Sequence, residues 1–176
     1  NSEKVHVLKN CTDLNKFGVK FIGEQRSELR KKYGINDSDI VFIFSGRISQ
    51  EKGVLELVKA YKQLKSREGI KLVIVGSAQT SNTIVDAYTQ MVYDEIEDIK
   101  EDVVFTGYVK HDDMPYVYKM ADVAILPSTG QDPAPLTIFE AMASGLPIIT
   151  TYSGGIPEYA TEECAMINKI DAQLVD

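Results

Sequence analysis

The sequence has no tryptophan, two cysteines and two histidines in 176 residues. Cys11 and Cys164 are too few for a disulfide framework, so both are expected as reduced thiols. His6 and His111 lack the spacing of a metal pair or a catalytic triad, and both are expected at the surface. Basic residues are outnumbered, 19 Lys and Arg against 26 Asp and Glu, for a net charge of −7. That balance excludes nucleic acid or an anionic membrane surface as a partner of the domain as a whole, though a local basic pocket stays open. No apolar run approaches the roughly 20 residues that cross a bilayer. No leader-like stretch is spelled. Neither G-x-G-x-x-G nor G-x4-G-K-[ST] occurs, so the two common glycine-rich phosphate loops are absent.

What remains is an ordinary globular composition, 44% hydrophobic and 26% charged, long enough for one domain with its own core. Short apolar runs alternate with helical patterns. Strands are expected at Lys4–Lys9, Ile40–Phe44, Lys71–Val75, Val103–Phe105, Val123–Leu126, Pro147–Thr150 and Cys164–Ile167. Helices are expected over Gly23–Tyr33, ended by Gly34, over Leu55–Leu64, over Thr83–Ile99 with Val85, Tyr88, Val92 and Ile96 as its inner stripe, and over Met114–Met120. Continuous apolar strands suit a parallel sheet covered on both faces. The fold class is therefore α/β, a Rossmann-like doubly wound parallel sheet with right-handed crossovers. Asp37-Ser38-Asp39 formally spells D-x-D, but before a strand it reads as a turn.

A doubly wound sheet binds ligands beyond the carboxyl ends of its strands, where the strand order switches. In the usual order the switch lies between the first and fourth strands. After the first comes Ser45-Gly46-Arg47-Ile48-Ser49-Gln50-Glu51-Lys52-Gly53. Gly46 permits close backbone approach, Arg47 can grip a phosphate bidentately, and Lys52 adds a compact positive charge. After the fourth comes a loop to Asp132 and a helix expected to start at Pro135, since proline suits a first helical position. Gly145 and Pro147 end it. The free N–H groups of its first turn, at Leu136 and Thr137, favour an anion. Glu140 follows on a helix too apolar to be wholly exposed.

Asp132, seven residues, then Glu140-Ala-Met-Ala-Ser-Gly-Leu-Pro147 resembles the E-x7-E signature of the retaining GT-B glycosyltransferases, in particular glycosyltransferase family 4. Gly46-Arg47 to Lys52-Gly53 resembles the same family's Gly-Arg-x4-Lys-Gly, and Gly154-Gly155-Ile156-Pro157-Glu158 its Gly-Gly-x-x-Glu loop. Asn10-Cys11-Thr12-Asp13 to Phe17 is similar to its Asn-Gly-Val-Asp-x-x-x-Phe segment, which links the two halves of the enzyme. The sequence departs from the pattern at Asp132, where Glu is usual, and at Ala134-Pro135, where an aromatic-glycine pair is common.

The resemblance implies a strand and hinge over residues 1–20. It makes residues 21–176 a nucleotide-sugar-binding domain, the C-terminal half of a GT-B fold, cut short before its closing helices. Arg47 and Lys52 then hold the donor diphosphate and stabilise the leaving group. Gly46 and Ser128 lie against it, and Leu136 and Thr137 offer the helix start. Val109, in Thr106-Gly107-Tyr108-Val109, lines the nucleobase slot. Glu140 takes the ribose hydroxyls and Asp132 those of the sugar. No cofactor or metal is implied; the substrate is a nucleotide-diphospho-sugar such as a UDP- or GDP-sugar, and a hexose-type sugar moves to an acceptor hydroxyl. The acceptor site belongs to the missing N-terminal half, as does any membrane association, and the expected location is cytoplasmic, or peripheral at the inner face of a membrane. The rival readings are a non-catalytic nucleotide-binding module, half of a GT-B sugar-nucleotide epimerase, and a flavodoxin-like signalling domain. Loss of Arg47 or Lys52 would favour the first, and neither is lost. The second would lack the acid-x7-Glu loop.

Overall fold

Alternate residues of the first strand are drawn to opposite sides, and the whole architecture follows from that. In β1, Ile40–Ser45, Val41 and Ile43 join one apolar cluster and Phe44 joins another. Each fully buried side chain of this kind is worth about 1.5–3 kcal/mol. The computed structural model describes residues 6, 8–20, 23–77 and 85–168. Among them are five further strands: β2 Ile70–Val75, β3 Val103–Gly107, β4 Val123–Leu126, β5 Ile148–Thr151 and β6 Ala165–Asn168. They form one parallel sheet in the order β3-β2-β1-β4-β5-β6. The doubly wound α/β expectation holds, and the order reverses between β1 and β4.

The helices are α1 Leu14–Phe17, α2 Gly23–Lys32, α3 Val54–Lys62, α4 Ala87–Ile96, α5 Met114–Met120 and α6 Leu136–Ala143. One cluster packs Leu72 and Ile74 of β2 with Val54, Val58 and Tyr61 of α3 and Val92 and Ile96 of α4. The other packs Val73 and Val75 with Phe17, Val117 and Tyr118, and with Ile138 and Ala141 of α6. At the start of the sheet, buried Arg30 donates to the backbone carbonyls of Met120, Asn36, Asp37 and Asp39 and to Asp122 Oδ2 at 2.7 Å. That one guanidinium fastens α2 to the amino ends of β1 and β4.

Several expected boundaries shift. The helix placed at Thr83–Ile99 is described from Ala87, capped by Asp86 accepting from Thr89 N at 2.8 Å, and tightens into a 3-10 turn at Glu97–Ile99. Residues 83 and 84 lie outside the described residues. Val85 of its expected stripe is exposed, because it precedes the helix. Leu64, expected to close the stripe of α3, lies past the helix end at Lys62 and is exposed. Of the Lys4–Lys9 strand, residues 4, 5 and 7 lie outside the described residues, and residues 6 and 8–10 carry no regular structure. Asp37-Ser38-Asp39 is a turn, with Asp39 Oδ2 accepting from Asn36 N at 2.8 Å. Cys11 and Cys164 are free and exposed.

Candidate functional site

Glycines let the loops beyond β1 and β4 approach closely. Gly53 has φ +68, and a Cβ there would stand 2.0 Å from the carbonyl oxygen of Pro127, the residue after β4. Only glycine lets the backbones come that near. Glu51 O then accepts from Thr129 N at 3.0 Å and Gly130 N at 3.1 Å, and Thr129 Oγ1 donates to Gln50 O at 2.8 Å. The loop carrying Asp132 is gripped from its other side. Gly155 N donates to Asp132 O at 2.9 Å, and a Cβ on Gly155 would lie 1.8 Å from Pro133 O. The Gly154-Gly155 pair is thus a backbone cradle. Asn10 Nδ2 donates to Ala134 O at 3.1 Å, so the segment before α1 touches the same loop.

This stitching brings Lys52 Nζ into an ion pair with Asp132 Oδ2, although 80 residues separate them. Arg47, Glu51, Lys52, Gly130, Gln131, Asp132 and Pro133 line a cavity of about 380 Å³. Arg47 is exposed and Lys52 half-buried. Two cations and two carboxylates therefore share one opening at the switch point. A polyanion can be held there by the cations and hydroxyls by the carboxylates.

The remaining expected residues surround this opening without all lining it. Pro135 is not the first residue of α6. Its ψ of 120° is extended, and it serves as the N-cap, with Leu136 the first helical residue. Proline's fixed φ suits both positions, so sequence alone could not separate them. Leu136 is exposed and Thr137 half-buried on that first turn. Ser128 is buried beneath the loop, its carbonyl accepting from Thr151 Oγ1 at 2.5 Å. Gly46 N donates to Val75 O at 3.0 Å, closing the end of the sheet. Val109 is half-buried against the α5–α6 cluster.

Glu140 is buried, as the apolar helix implied, but lies outside the cavity lining. Its Oε2 accepts from Tyr118 Oη at 3.1 Å and its Oε1 lies 3.0 Å from His111 Nε2. Burial, and then the Glu140 charge, push the Tyr118 phenol well above its ordinary pKa, so it stays a donor. His111 is exposed, as expected, but it is not the partnerless surface residue its sequence context suggested. Neither it nor Tyr118 was singled out as a site residue, and only an apolar i+3/i+4 pattern around Tyr118 marks that position. Among the described residues no three His, Cys, Asp or Glu side chains group as a metal ion would need. No helix among them is long and apolar enough to cross a membrane.

A parallel doubly wound sheet with facing cationic and acidic groups where its strand order reverses is an open α/β fold of the class that binds ligands at that switch point. The chain belongs to the group 1 glycosyl transferases, whose family model matches residues 25–167. It is 30% identical over 161 residues to an uncharacterized glycosyltransferase of Methanocaldococcus jannaschii, covering 92% of this chain and 40% of that protein. It is 34% identical over 139 residues to the lipopolysaccharide 1,2-N-acetylglucosaminetransferase of Salmonella typhimurium, covering 78% of this chain and 36% of that protein. The fold is shared with Anabaena HepE, solved with UDP and glucose, at a TM-score of 0.83 and 24% identity over 96% of this chain and 44% of that one. The chain thus spans well under half the length of these relatives.

Proposed function

We propose that this chain is the donor-binding, C-terminal half of a retaining glycosyltransferase of family 4 type, moving a hexose-type sugar from a nucleotide diphosphate to an acceptor hydroxyl. The observation that carries the reading is the meeting of Lys52 and Asp132 across the switch point, with Arg47 beside them. Arg47 and Lys52 hold the diphosphate, and Glu140 takes the ribose. Asp132 binds sugar hydroxyls and favours the positive charge that develops at the anomeric carbon. Gly46, Ser128 and Val109 shape the floor and the base slot, while the N–H groups of Leu136 and Thr137 face the anion from the start of α6.

In the transfer the bond from the anomeric carbon to the diphosphate oxygen breaks, and its electron pair leaves with the phosphate. The acceptor oxygen bonds to that carbon from the same face, and its proton passes to the departing phosphate. Arg47 and Lys52 offset the charge gained there. The acceptor site and the other cleft wall come from an N-terminal half, so residues 1–176 alone bind donor and do not transfer. HepE's complex with UDP and glucose makes UDP-glucose the first donor to try.

The test is a transfer assay of the full-length protein against UDP-, GDP- and ADP-sugars, with the product's anomeric configuration read by proton NMR. Transfer with retention is expected, and Lys52→Ala and Arg47→Ala should each lower it at least tenfold. Transfer with inversion overturns the retaining assignment, and activity unchanged in both variants overturns the site.

A further inference from the structure

Glu140 does not hold itself in place. Both of its carboxylate oxygens are engaged, by groups that come from the stretch of chain after β3. Oε2 accepts from the buried Tyr118 hydroxyl at 3.1 Å. Oε1 lies 3.0 Å from His111 Nε2. The direction of that second bond follows from a third. His111 Nδ1 lies 3.0 Å from Lys16 Nζ, and an ammonium can only donate. Nδ1 is therefore the acceptor, and Nε2 carries the hydrogen that is donated to Glu140.

The two donors are braced by one apolar side chain. The fully buried Phe17 ring meets His111 edge-on at 5.6 Å and Tyr118 at 6.1 Å. Lys16 and Phe17 both sit on α1, and Lys16 also donates to Asp112 Oδ1 at 2.6 Å, anchoring the loop that carries His111. An ionised carboxylate has about four acceptor positions, and two donors use about half of them. The rest are left for hydroxyls, with the carboxylate already oriented.

We propose that Tyr118 and His111 are positioning residues for Glu140: they fix its carboxylate so that a vicinal diol is met by a preset acceptor, with α1 bracing the arrangement through Lys16 and Phe17. The inference rests on the reading of Glu140 as the ribose acceptor. It goes beyond that reading by assigning the orientation of Glu140, and with it discrimination for ribose, to residues that never touch the donor.

The experiment compares UDP, GDP and ADP with their 2′,3′-dideoxy counterparts by titration calorimetry on the 176-residue chain. The variants are Tyr118→Phe, which deletes only the hydroxyl, His111→Leu, and His111→Gln, whose amide nitrogen stands where Nε2 does. Wild type should prefer the ribonucleotide. Tyr118→Phe and His111→Leu should each lower ribonucleotide affinity by about three- to tenfold, the span of one hydrogen bond. They should leave dideoxy affinity unchanged, and His111→Gln should restore most of the loss. A purely structural role would lower both affinities together, and that result overturns the proposal. So does full ribose preference in both Tyr118→Phe and His111→Leu. If wild type itself does not distinguish ribose from dideoxyribose, or binds none of the nucleotides, the assignment of Glu140 fails first and the positioning role falls with it.

Discussion

Lys52 and Asp132 are paired across the mouth of the sheet, so the residue assigned to the diphosphate is in contact with the one assigned to the sugar. Each carboxylate–ammonium contact made here competes with a phosphate for the same ammonium. Asp132→Asn removes the competitor. Nucleoside diphosphate affinity should therefore stay level or rise, while affinity for an intact nucleotide-sugar should fall. Calorimetry with both ligands checks this. A fall in diphosphate affinity as large as the fall for the sugar nucleotide would mean that Asp132 does not read the sugar.

Arg47→Ala and Lys52→Ala act on the other half of that pair. Each should weaken nucleoside diphosphate binding by roughly 1.5–3 kcal/mol, the range of charge-assisted hydrogen bonds. The bare nucleoside should be unaffected, and added salt should weaken wild-type diphosphate binding. Equal losses for nucleoside and diphosphate would place the two cations elsewhere.

Gly155→Ala tests the cradle. The added Cβ would fall 1.8 Å from Pro133 O, so the backbone carrying Asp132 must move. Donor sugar affinity should drop several-fold while the urea midpoint moves by far less than for a core substitution. The readout is calorimetry beside denaturation, and an unchanged sugar affinity would show that the loop's position does not matter.

Arg30 supports the fold from the opposite end of the sheet. Removing it takes one of two guanidinium partners from Asp122 and a donor from four carbonyls, those of Met120 and Asp39 buried, so Arg30→Met should cost about 2–5 kcal/mol in urea denaturation. Burial raises the Asp122 carboxyl, but the Val41 N–H and the Arg26 and Arg30 guanidinium groups outweigh it and hold the group below its ordinary pKa. A carboxyl depressed on folding stabilises fully above its unfolded pKa and loses that contribution as pH falls through the folded one. Acid unfolding should therefore steepen below about pH 4, the ordinary carboxylate range. Asp122→Asn should flatten that limb.

The sheet was legible because its strands are buried on both faces. Ile40–Phe44 and Lys71–Val75 read as unbroken apolar runs, and they stand within a residue of where they were expected. The cleft was legible through two short motifs whose meeting depends only on strand order. The support of Glu140 was not. His111 and Tyr118 lie 29 and 22 residues from it in the chain, and no local period links a loop histidine to a carboxylate one helix away. The start of α6 was misplaced by one residue because proline's φ suits both the N-cap and the first turn. The 3-10 turn at Glu97–Ile99 that follows α4 was not legible, because the residues from Asp94 to Ile99 favour neither geometry strongly enough to decide between them.

The most direct measurement is titration of the 176-residue chain with UDP, GDP and ADP, each against wild type, Lys52→Ala and Glu140→Gln. One nucleotide should bind saturably, both variants should weaken it, and only Glu140→Gln should also weaken the corresponding nucleoside. No binding of any of the three, or binding that neither substitution changes, would contradict the assignment of this cleft to a nucleotide-sugar donor.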